Sequence, residues 1–316
     1  MRSIPFDQVI AKGCGLDVHK KEIVATISGD QITTETRSFG STTSSLTELK
    51  DWLLENEITH VAMESTGVYW KPVLNILEKG NFTILVVNAR HIKYVPGHKT
   101  DKKDSAWICQ LLRAGLLKGS FVPDVKQREL RDLTRYRRKM VQQVSAEKNR
   151  MIRIFEDANL KLSSVFSDIN GVTCTKVIDA ILAGSTDPDF LASLCTHKRL
   201  KSTQAEIRDA VEGNFTAHHH RMLRIIRGNM AHLEEVIAGL EAEIDVYMQP
   251  YRDLIERIVE IPGVGESTAK DLLAEIGVDM SVFPTERHIA SWAGVCPGNN
   301  ESAGKKKVHA PLTETK

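Results

Sequence analysis

Cysteine is scarce in this 316-residue chain and does not form a scaffold pattern. The five cysteines are scattered, and no two of them make a Cys-x-x-Cys pair. An odd number of isolated cysteines argues against a disulfide framework and against a zinc site. The cysteine content therefore predicts a protein of the reducing cytoplasm.

Long hydrophobic runs are absent as well. No stretch of about 18 consecutive apolar residues occurs, which excludes a typical membrane-spanning helix. Residues 1–7 lack the apolar core of a secretory signal. Aromatic residues make up only 6% of the chain, which suits a helix-rich protein better than an all-β one. The 41% hydrophobic share still supplies a core, and the length predicts about two domains.

A strong overall charge is missing too, since the formal net charge is only +1. The local balance is different. Between Arg90 and Arg153 there are 17 basic and 6 acidic residues, whereas between Ala231 and Glu260 there are 2 basic and 8 acidic ones. A charge run is often only a solvated helix face, so a phosphate-binding role needs a second signal.

The chain falls into three regions with different periodicities. Residues 8–120 alternate short apolar strands with helices, which predicts an α/β domain with a mixed sheet. Residues 121–250 are nearly all helical. They contain two long helices, 125–160 and 216–248, which indicate an antiparallel coiled-coil arm or a dimer interface. Residues 251–316 predict a small helical domain.

Four carboxylates stand at element boundaries in the first region. Asp17 ends the first strand, Glu64 ends a later strand, and Asp101 and Asp104 precede a helix three residues apart. Adjacent strand ends would bring these acids together at one sheet edge. Converging carboxylates repel one another unless cations lie between them, and hard oxygen ligands suit Mg²⁺. The pattern predicts a magnesium centre acting on a phosphodiester, with unconnected surface acids as the alternative.

The segment Gly15–Lys20 also invites comparison with the phosphate loop of actin-like ATPases. That loop places Gly and Thr after the aspartate, so that the backbone can approach phosphate. Here His19 and Lys20 occupy those positions, and no second glycine-rich phosphate loop follows. The sequence therefore argues against an ATPase.

A resemblance to a known family extends over residues 8–307. It rests on three acidic motifs, Gly15–Lys20, Glu64–Trp70 and Thr100–Asp104, and on two later segments, Ile261–Gly265 and Ala293–Gly304. In this order they resemble the DEDD-type bacterial insertion-sequence transposases, which are relatives of the Piv site-specific invertases. The resemblance implies an RNase H-like (RuvC-like) N-terminal domain and a C-terminal transposase domain.

The same resemblance implies roles for particular residues. Asp17, Glu64, Asp101 and Asp104 would be the metal-binding tetrad, and Ser302 would be a covalent nucleophile on DNA. Lys305 and Lys306 could hold a phosphate beside it. A non-coding RNA from the element would supply the sequence specificity by base pairing. From the residues alone, a serine in such a polar loop reads as an ordinary turn residue.

Two further segments indicate nucleic-acid contacts. Arg135, Arg138 and Lys139 fall on one face of the long basic helix and could follow an RNA or DNA backbone. The segment 254–276 resembles a helix–hairpin–helix, in which Gly263 and Gly265 let backbone N–H groups face a phosphate. An ordinary helical turn is the alternative for the second segment.

Two expectations concern other parts of the chain. The run His218-His219-His220 is interpreted as surface, because adjacent residues of a helix point in different directions. After Lys307 the sequence departs from the family, in which a basic segment and further helices follow. We therefore expect a truncated copy with residues 299–316 poorly ordered and Ser302 far from Asp17.

The leading hypothesis is a cytoplasmic DNA transposase that breaks and rejoins strands with Mg²⁺ and a serine nucleophile, guided by RNA and oligomeric through its long helices. One alternative is a catalytically inactive, truncated nucleic-acid-binding remnant. Another is a RuvC-like junction nuclease without serine chemistry.

Overall fold

The computed structural model describes residues 10–65, 67–88, 104–195 and 201–295, together with the backbone of 301–302 and 305–306. The chain divides into two compact units, Met1–Val122 and Pro123–Lys316. Within the described ranges, no helix is long and apolar enough to cross a membrane.

The first unit is built on a five-stranded sheet, in which the strands that carry Asp17 and Glu64 end within one residue of these acids, as the sequence predicts. In chain order they are β1 (Lys12–Val18), β2 (Glu22–Gly29), β3 (Ile32–Gly40), β4 (His60–Glu64) and β5 (Thr83–Val87). The spatial order is β3-β2-β1-β4-β5. The β1–β2 and β2–β3 pairs are antiparallel, whereas the β1–β4 and β4–β5 pairs are parallel. The predicted mixed sheet is confirmed, and this sheet followed by helices fits an RNase H-like fold.

Among the described residues of the first unit, three helices cover the two faces of this sheet. They are α1 (Thr43–Glu55), α2 (Trp70–Leu77) and α3 (Asp104–Arg113). Alternate residues of β1, among them Leu16, pack into one core with α1 and α2. The intervening residues of β1 face α3, because successive side chains of a strand point to opposite faces.

The second unit is helical over the residues that the structure describes. It begins with α4 (Val125–Asp157), and four short helices follow, α5 (Leu162–Val165), α6 (Val172–Leu182), α7 (Pro188–Ser193) and α8 (Gln204–Val211). The long helix α9 (Ala217–Met248) leads into α10 (Arg252–Val259), α11 (Glu266–Ile276) and α12 (Glu286–Trp292). Two-residue strands β6 (Glu301–Ser302) and β7 (Lys305–Lys306) pair antiparallel.

The two long helices lie antiparallel within one chain. The start of α4 meets the end of α9, where the Tyr247 hydroxyl donates to Glu129 over 2.8 Å. The end of α4 meets the start of α9, where His219 contacts Asp157 over 2.8 Å. Separate apolar clusters fill the two ends, one with the short helices α5–α8 and one with α10 and α11. A coiled-coil geometry and a dimer interface remain predictions.

The surface interpretation of the histidine run is wrong for His219. Its side chain is buried and forms a capping box with Thr216 at the start of α9. The Thr216 N–H donates to Nδ1, so the proton of the neutral ring resides on Nε2 and is donated to Asp157. His219 therefore helps to cap the start of α9 and links this helix to α4. Of the three histidines, only His218 is exposed.

Candidate active site

Asp17 and Glu64 lie next to each other at one edge of the sheet. In the parallel β1–β4 pair Leu16 is opposite Met63, so the next residues, Asp17 and Glu64, stand at adjacent carboxyl ends. The carboxyl ends of parallel strands are where open α/β sheets place their ligand sites. The strand order thus brings the first two predicted acids together.

Helix α3 crosses β1 at close range because β1 carries two glycines on that face. A Cβ atom built on Gly15 would lie 2.2 Å from the Ser105 carbonyl oxygen and 2.3 Å from the Cys109 nitrogen. One built on Gly13 would lie 3.2 Å from a Leu112 methyl. The helix therefore runs back along β1, with its first turn towards the carboxyl end of the strand.

This packing places the third acid beside the first. Asp17 is two residues beyond Gly15 and so lies on the same face of the sheet, the face that α3 covers. Asp104, the first residue of α3, directly precedes Ser105. Asp17, Glu64 and Asp104 therefore converge on one edge of the first unit.

The pKa of Asp17 is affected by both neighbouring carboxylates. Burial raises the pKa of its carboxyl above the usual value, and the negative charges of Asp104 and Glu64 raise it further. His19 opposes both effects, because its Nε2 lies 3.0 Å from the Asp17 carboxylate. A half-buried carboxylate with two carboxylate neighbours gains most from a cation bound among them.

A chain of buried hydroxyls holds the start of α3 in place. The Ser105 Oγ lies 2.7 Å from the Thr26 hydroxyl of β2, which lies 2.8 Å from the Thr36 hydroxyl of β3. Ser105 and Thr26 are both almost completely buried. Since Ser105 follows Asp104 directly, these hydrogen bonds fix the helix turn that presents Asp104.

The donor set suits a hard divalent cation. Carboxylate oxygens are the ligands that Mg²⁺ and Mn²⁺ prefer in proteins. Among the residues that the structure describes, no group of three or more acidic, His or Cys side chains is arranged at metal-binding distances. The fourth predicted ligand, Asp101, lies outside the described residues.

Some residues around this site were not singled out by the sequence analysis. Thr26 and Ser105 carry no pattern that marks them, because their partners are distant in sequence. Gly15 and His19 flank the aspartate of their motif, but the motif alone does not indicate the helix contact of the one or the carboxylate contact of the other. The alternation Gly13, Gly15, Asp17 is the one signal that could have revealed the approach of a helix.

The arginines predicted to contact nucleic acid already have partners within the second unit. Both Nε and a terminal nitrogen of Arg135 donate to the Glu275 carboxylate over 2.7 Å. Arg138 pairs with Asp271 at 3.4 Å. Both acids belong to α11, so part of the positive charge on this face of α4 is neutralised. Lys139 is exposed, and a nucleic-acid contact of all three residues stays a prediction.

The segment 252–276 forms two helices joined by a tight turn, as the sequence predicts. Gly263 has φ +86°, a left-handed conformation that favours glycine, and Gly265 is the N-cap of α11 without a capping side chain. Open space surrounds both glycines. Glu266 in the first turn of α11 places negative charge beside these N–H groups, and phosphate binding here stays a prediction.

The predicted nucleophile lies in the β6–β7 hairpin. Ser302 is opposite Lys305 in its register, and Lys306 is opposite Glu301. The side chains of these residues lie outside the described part of the structure. The expectations on the order of residues 299–316 and on the separation of Ser302 from Asp17 fall there too.

The mixed sheet followed by helices fits an RNase H-like domain of the DEDD class. Comparison with known families agrees with this. A model of the DEDD transposases of the IS110 type, described as "Transposase", matches residues 14–159. A second model, described as "Transposase IS116/IS110/IS902 family", matches residues 255–315. Together the two matches span about two thirds of the chain, which belongs to the IS110 family of transposases.

A curated relative supports this assignment over a shorter span. The chain is 33% identical over 87 residues to a protein of Streptomyces coelicolor named "Insertion element IS110 uncharacterized 43.6 kDa protein". The aligned part covers 27% of this chain and 21% of that relative. The second family match extends to residue 315, beyond Lys307, where the sequence analysis ended the resemblance.

Proposed function

We propose that this protein is an insertion-sequence transposase that breaks and rejoins DNA with a divalent metal, Mg²⁺ being the ion that suits its oxygen ligands. The observation that carries the proposal is the convergence of Asp17, Glu64 and Asp104 at the carboxyl ends of β1 and β4. Membership of the IS110 family supports DNA as the substrate. The DEDD class of the first family match supports a metal-dependent reaction.

The acids would act as a metal-binding set, with Asp101 as the fourth member. A divalent cation supplies Lewis-acid stabilisation of the charge that develops on the scissile phosphate. Asp17 approaches from β1, Glu64 from β4 and Asp104 from α3, so the set is held by three separate elements. The Thr26–Ser105 hydrogen bond keeps the helix member in register with the sheet members.

Ser302 is the proposed nucleophile, on the strength of its match to the family motif. Its Oγ would attack the scissile phosphorus, forming a serine–phosphate ester as the bond to the leaving DNA oxygen breaks. The serine proton passes to solvent, and the leaving oxygen takes up a proton to become a free hydroxyl end. Attack of another DNA hydroxyl on the ester would rejoin a strand and release Ser302.

Trapping of a covalent protein–DNA adduct tests this proposal. Wild-type protein incubated with the ends of its element and Mg²⁺ is expected to form an adduct that resists denaturant. Ser302→Ala should abolish the adduct, and Asp104→Asn should abolish metal-dependent strand breakage while DNA binding persists. Cleavage without any adduct would instead indicate a RuvC-like nuclease, and binding without cleavage would indicate an inactive remnant.

An RNA encoded by the element is the proposed guide, and the long helices are the proposed route to a homo-oligomer. RNA that copurifies with the protein and contains segments complementary to its target would support the first proposal. A mass above that of one chain in light scattering, lost when exposed apolar residues of α4 and α9 are replaced, would support the second. Normal recombination by protein treated with ribonuclease would contradict the proposal of a guide RNA.

A further inference from the structure

The turn Gly67–Tyr69, between β4 and α2, presents two apolar side chains to solvent. Val68 is 65% exposed and Tyr69 is 40% exposed. Neither residue belongs to the apolar clusters of the first unit, whereas the next residue, Trp70, packs against one of them. Single exposed apolar residues are ordinary, whereas two in succession beside a set of converging carboxylates offer an apolar contact at the candidate site.

The turn has a defined shape. Gly67 adopts φ +56°, in the left-handed region that glycine favours. The Tyr69 ring lies over this glycine, since a Cβ built there would sit 3.8 Å from the ring edge. The Lys71 N–H donates to the Val68 carbonyl over 3.3 Å and closes the turn. Trp70 anchors one side of the turn and strand β4 leads into the other.

The aromatic ring therefore packs on its own turn, and 40% of the residue stays exposed to solvent. Within the part of the chain that the structure describes, the Tyr69 hydroxyl makes no hydrogen bond. An exposed aromatic ring on a fixed backbone is what proteins use to stack an unpaired base, which presents a π-face whatever its sequence. Apolar side chains next to such a ring wedge between bases and separate them.

We propose that Tyr69 stacks on an unpaired DNA base next to the bond to be cut, with Val68 as the wedge beside it. This inference rests on the proposed function, because it makes DNA the occupant of the edge that holds Glu64. A base that is unpaired next to the scissile phosphate leaves its π-face open to such a ring. Stacking on the Tyr69 ring would hold the strand at this site whatever the identity of the base.

Binding of single-stranded DNA without metal tests the inference. The probe is a short oligonucleotide that carries the fluorescent base 2-aminopurine, measured in EDTA with the full-length protein. Wild-type protein is expected to quench the fluorescence by stacking. Tyr69→Ala should weaken binding by about 5- to 150-fold and abolish the quenching, since a base–aromatic stack is worth about 1–3 kcal/mol. Tyr69→Phe and Tyr69→Trp should retain both.

Two controls keep the result interpretable. Tyr136→Ala removes a similarly exposed tyrosine (53%) of α4 and should leave quenching unchanged. Tyr69→Leu keeps an apolar side chain without a ring and should behave like Tyr69→Ala. Equal affinity and quenching in wild type and a folded Tyr69→Ala variant would overturn the inference, as would full retention by Tyr69→Leu. Stacking in a protein without any cleavage activity would overturn the proposed function and leave only the base contact of Tyr69, whereas cleavage by a folded Tyr69→Ala variant that still quenches the fluorescence would overturn this inference alone.

Discussion

The replacement Gly15→Ala tests whether the close approach of α3 to β1 positions Asp104. The added methyl would lie 2.2 Å from the Ser105 carbonyl oxygen and 2.3 Å from the Cys109 nitrogen. These are backbone atoms, so no change of side-chain rotamer relieves the contact. An ordinary Cβ contact begins near 3.4 Å, and α3 must therefore withdraw by roughly 1 Å. Overpacking of this kind costs about 1–3 kcal/mol of stability.

The displacement of α3 should move Asp104 away from Asp17 and Glu64 while the first unit stays folded. A shift of about 1 Å in a catalytic constellation can cost on the order of 100-fold in rate. The direct assay is the rise in thermal midpoint on adding Mg²⁺ or Mn²⁺. At about 100 times its Kd a metal stabilises the wild type by about 2.7 kcal/mol, or roughly 10 °C for a unit of this size.

Gly13→Ala is the matched control on the same strand face. Its methyl would lie 3.2 Å from Leu112 and 3.3 Å from Arg113, but both contacts are to side-chain atoms that can move. We expect Gly13→Ala to keep the metal-induced stabilisation and Gly15→Ala to lose most of it. A folded Gly15→Ala protein that gains as much from metal as the wild type would refute this role of the helix contact.

Three further predictions concern single residues. Asp17→Asn should raise the metal-free thermal midpoint at neutral pH. Burial and two like charges raise the pKa of Asp17 in the folded state. The wild type therefore loses stability as the pH rises from the usual aspartate pKa through the raised pKa. The variant has no carboxyl at this position and should not show that loss. His219→Ala should cost about 1–2 kcal/mol in thermal unfolding, because it removes the imidazole half of the capping box of α9 and the bond to Asp157; an unchanged midpoint would contradict this role of the ring. Glu275→Gln should release Arg135, tighten DNA binding and steepen its log–log salt dependence by about 0.9 for one added phosphate contact; an unchanged slope would mean that Arg135 serves only to hold α11.

Much of the fold follows from local sequence patterns. The bounds of the two long helices were predictable to within a few residues, because a helix carries its own periodicity, which α1 also shows with Leu46, Leu49 and Trp52 on one face. The antiparallel pairing of α4 and α9 within one chain was one of two alternatives. Sequence alone could not choose between them, since the same apolar face can pack on its own chain or on a second copy.

The acids of the candidate site were predictable from the sequence, but the residues that hold them in position were not. Asp17 and Glu64 end apolar strands, and that position is visible in the sequence. The hydroxyl chain from Thr36 through Thr26 to Ser105 depends on three elements whose proximity only the sheet order creates. The neutralisation of Arg135 by Glu275 escaped prediction for the same reason, because 140 residues separate the partners.

The central claim is that Asp17, Glu64 and Asp104, with Asp101, hold a divalent cation. Anomalous diffraction from crystals of the protein soaked in Mn²⁺ tests it most directly. We expect a manganese peak at the carboxyl ends of β1 and β4, in contact with carboxylate oxygens of Asp17 and Asp104, and no peak in crystals of Asp17→Asn. A manganese ion bound elsewhere, with Asp17 and Glu64 carrying no metal at saturating concentration, would contradict it.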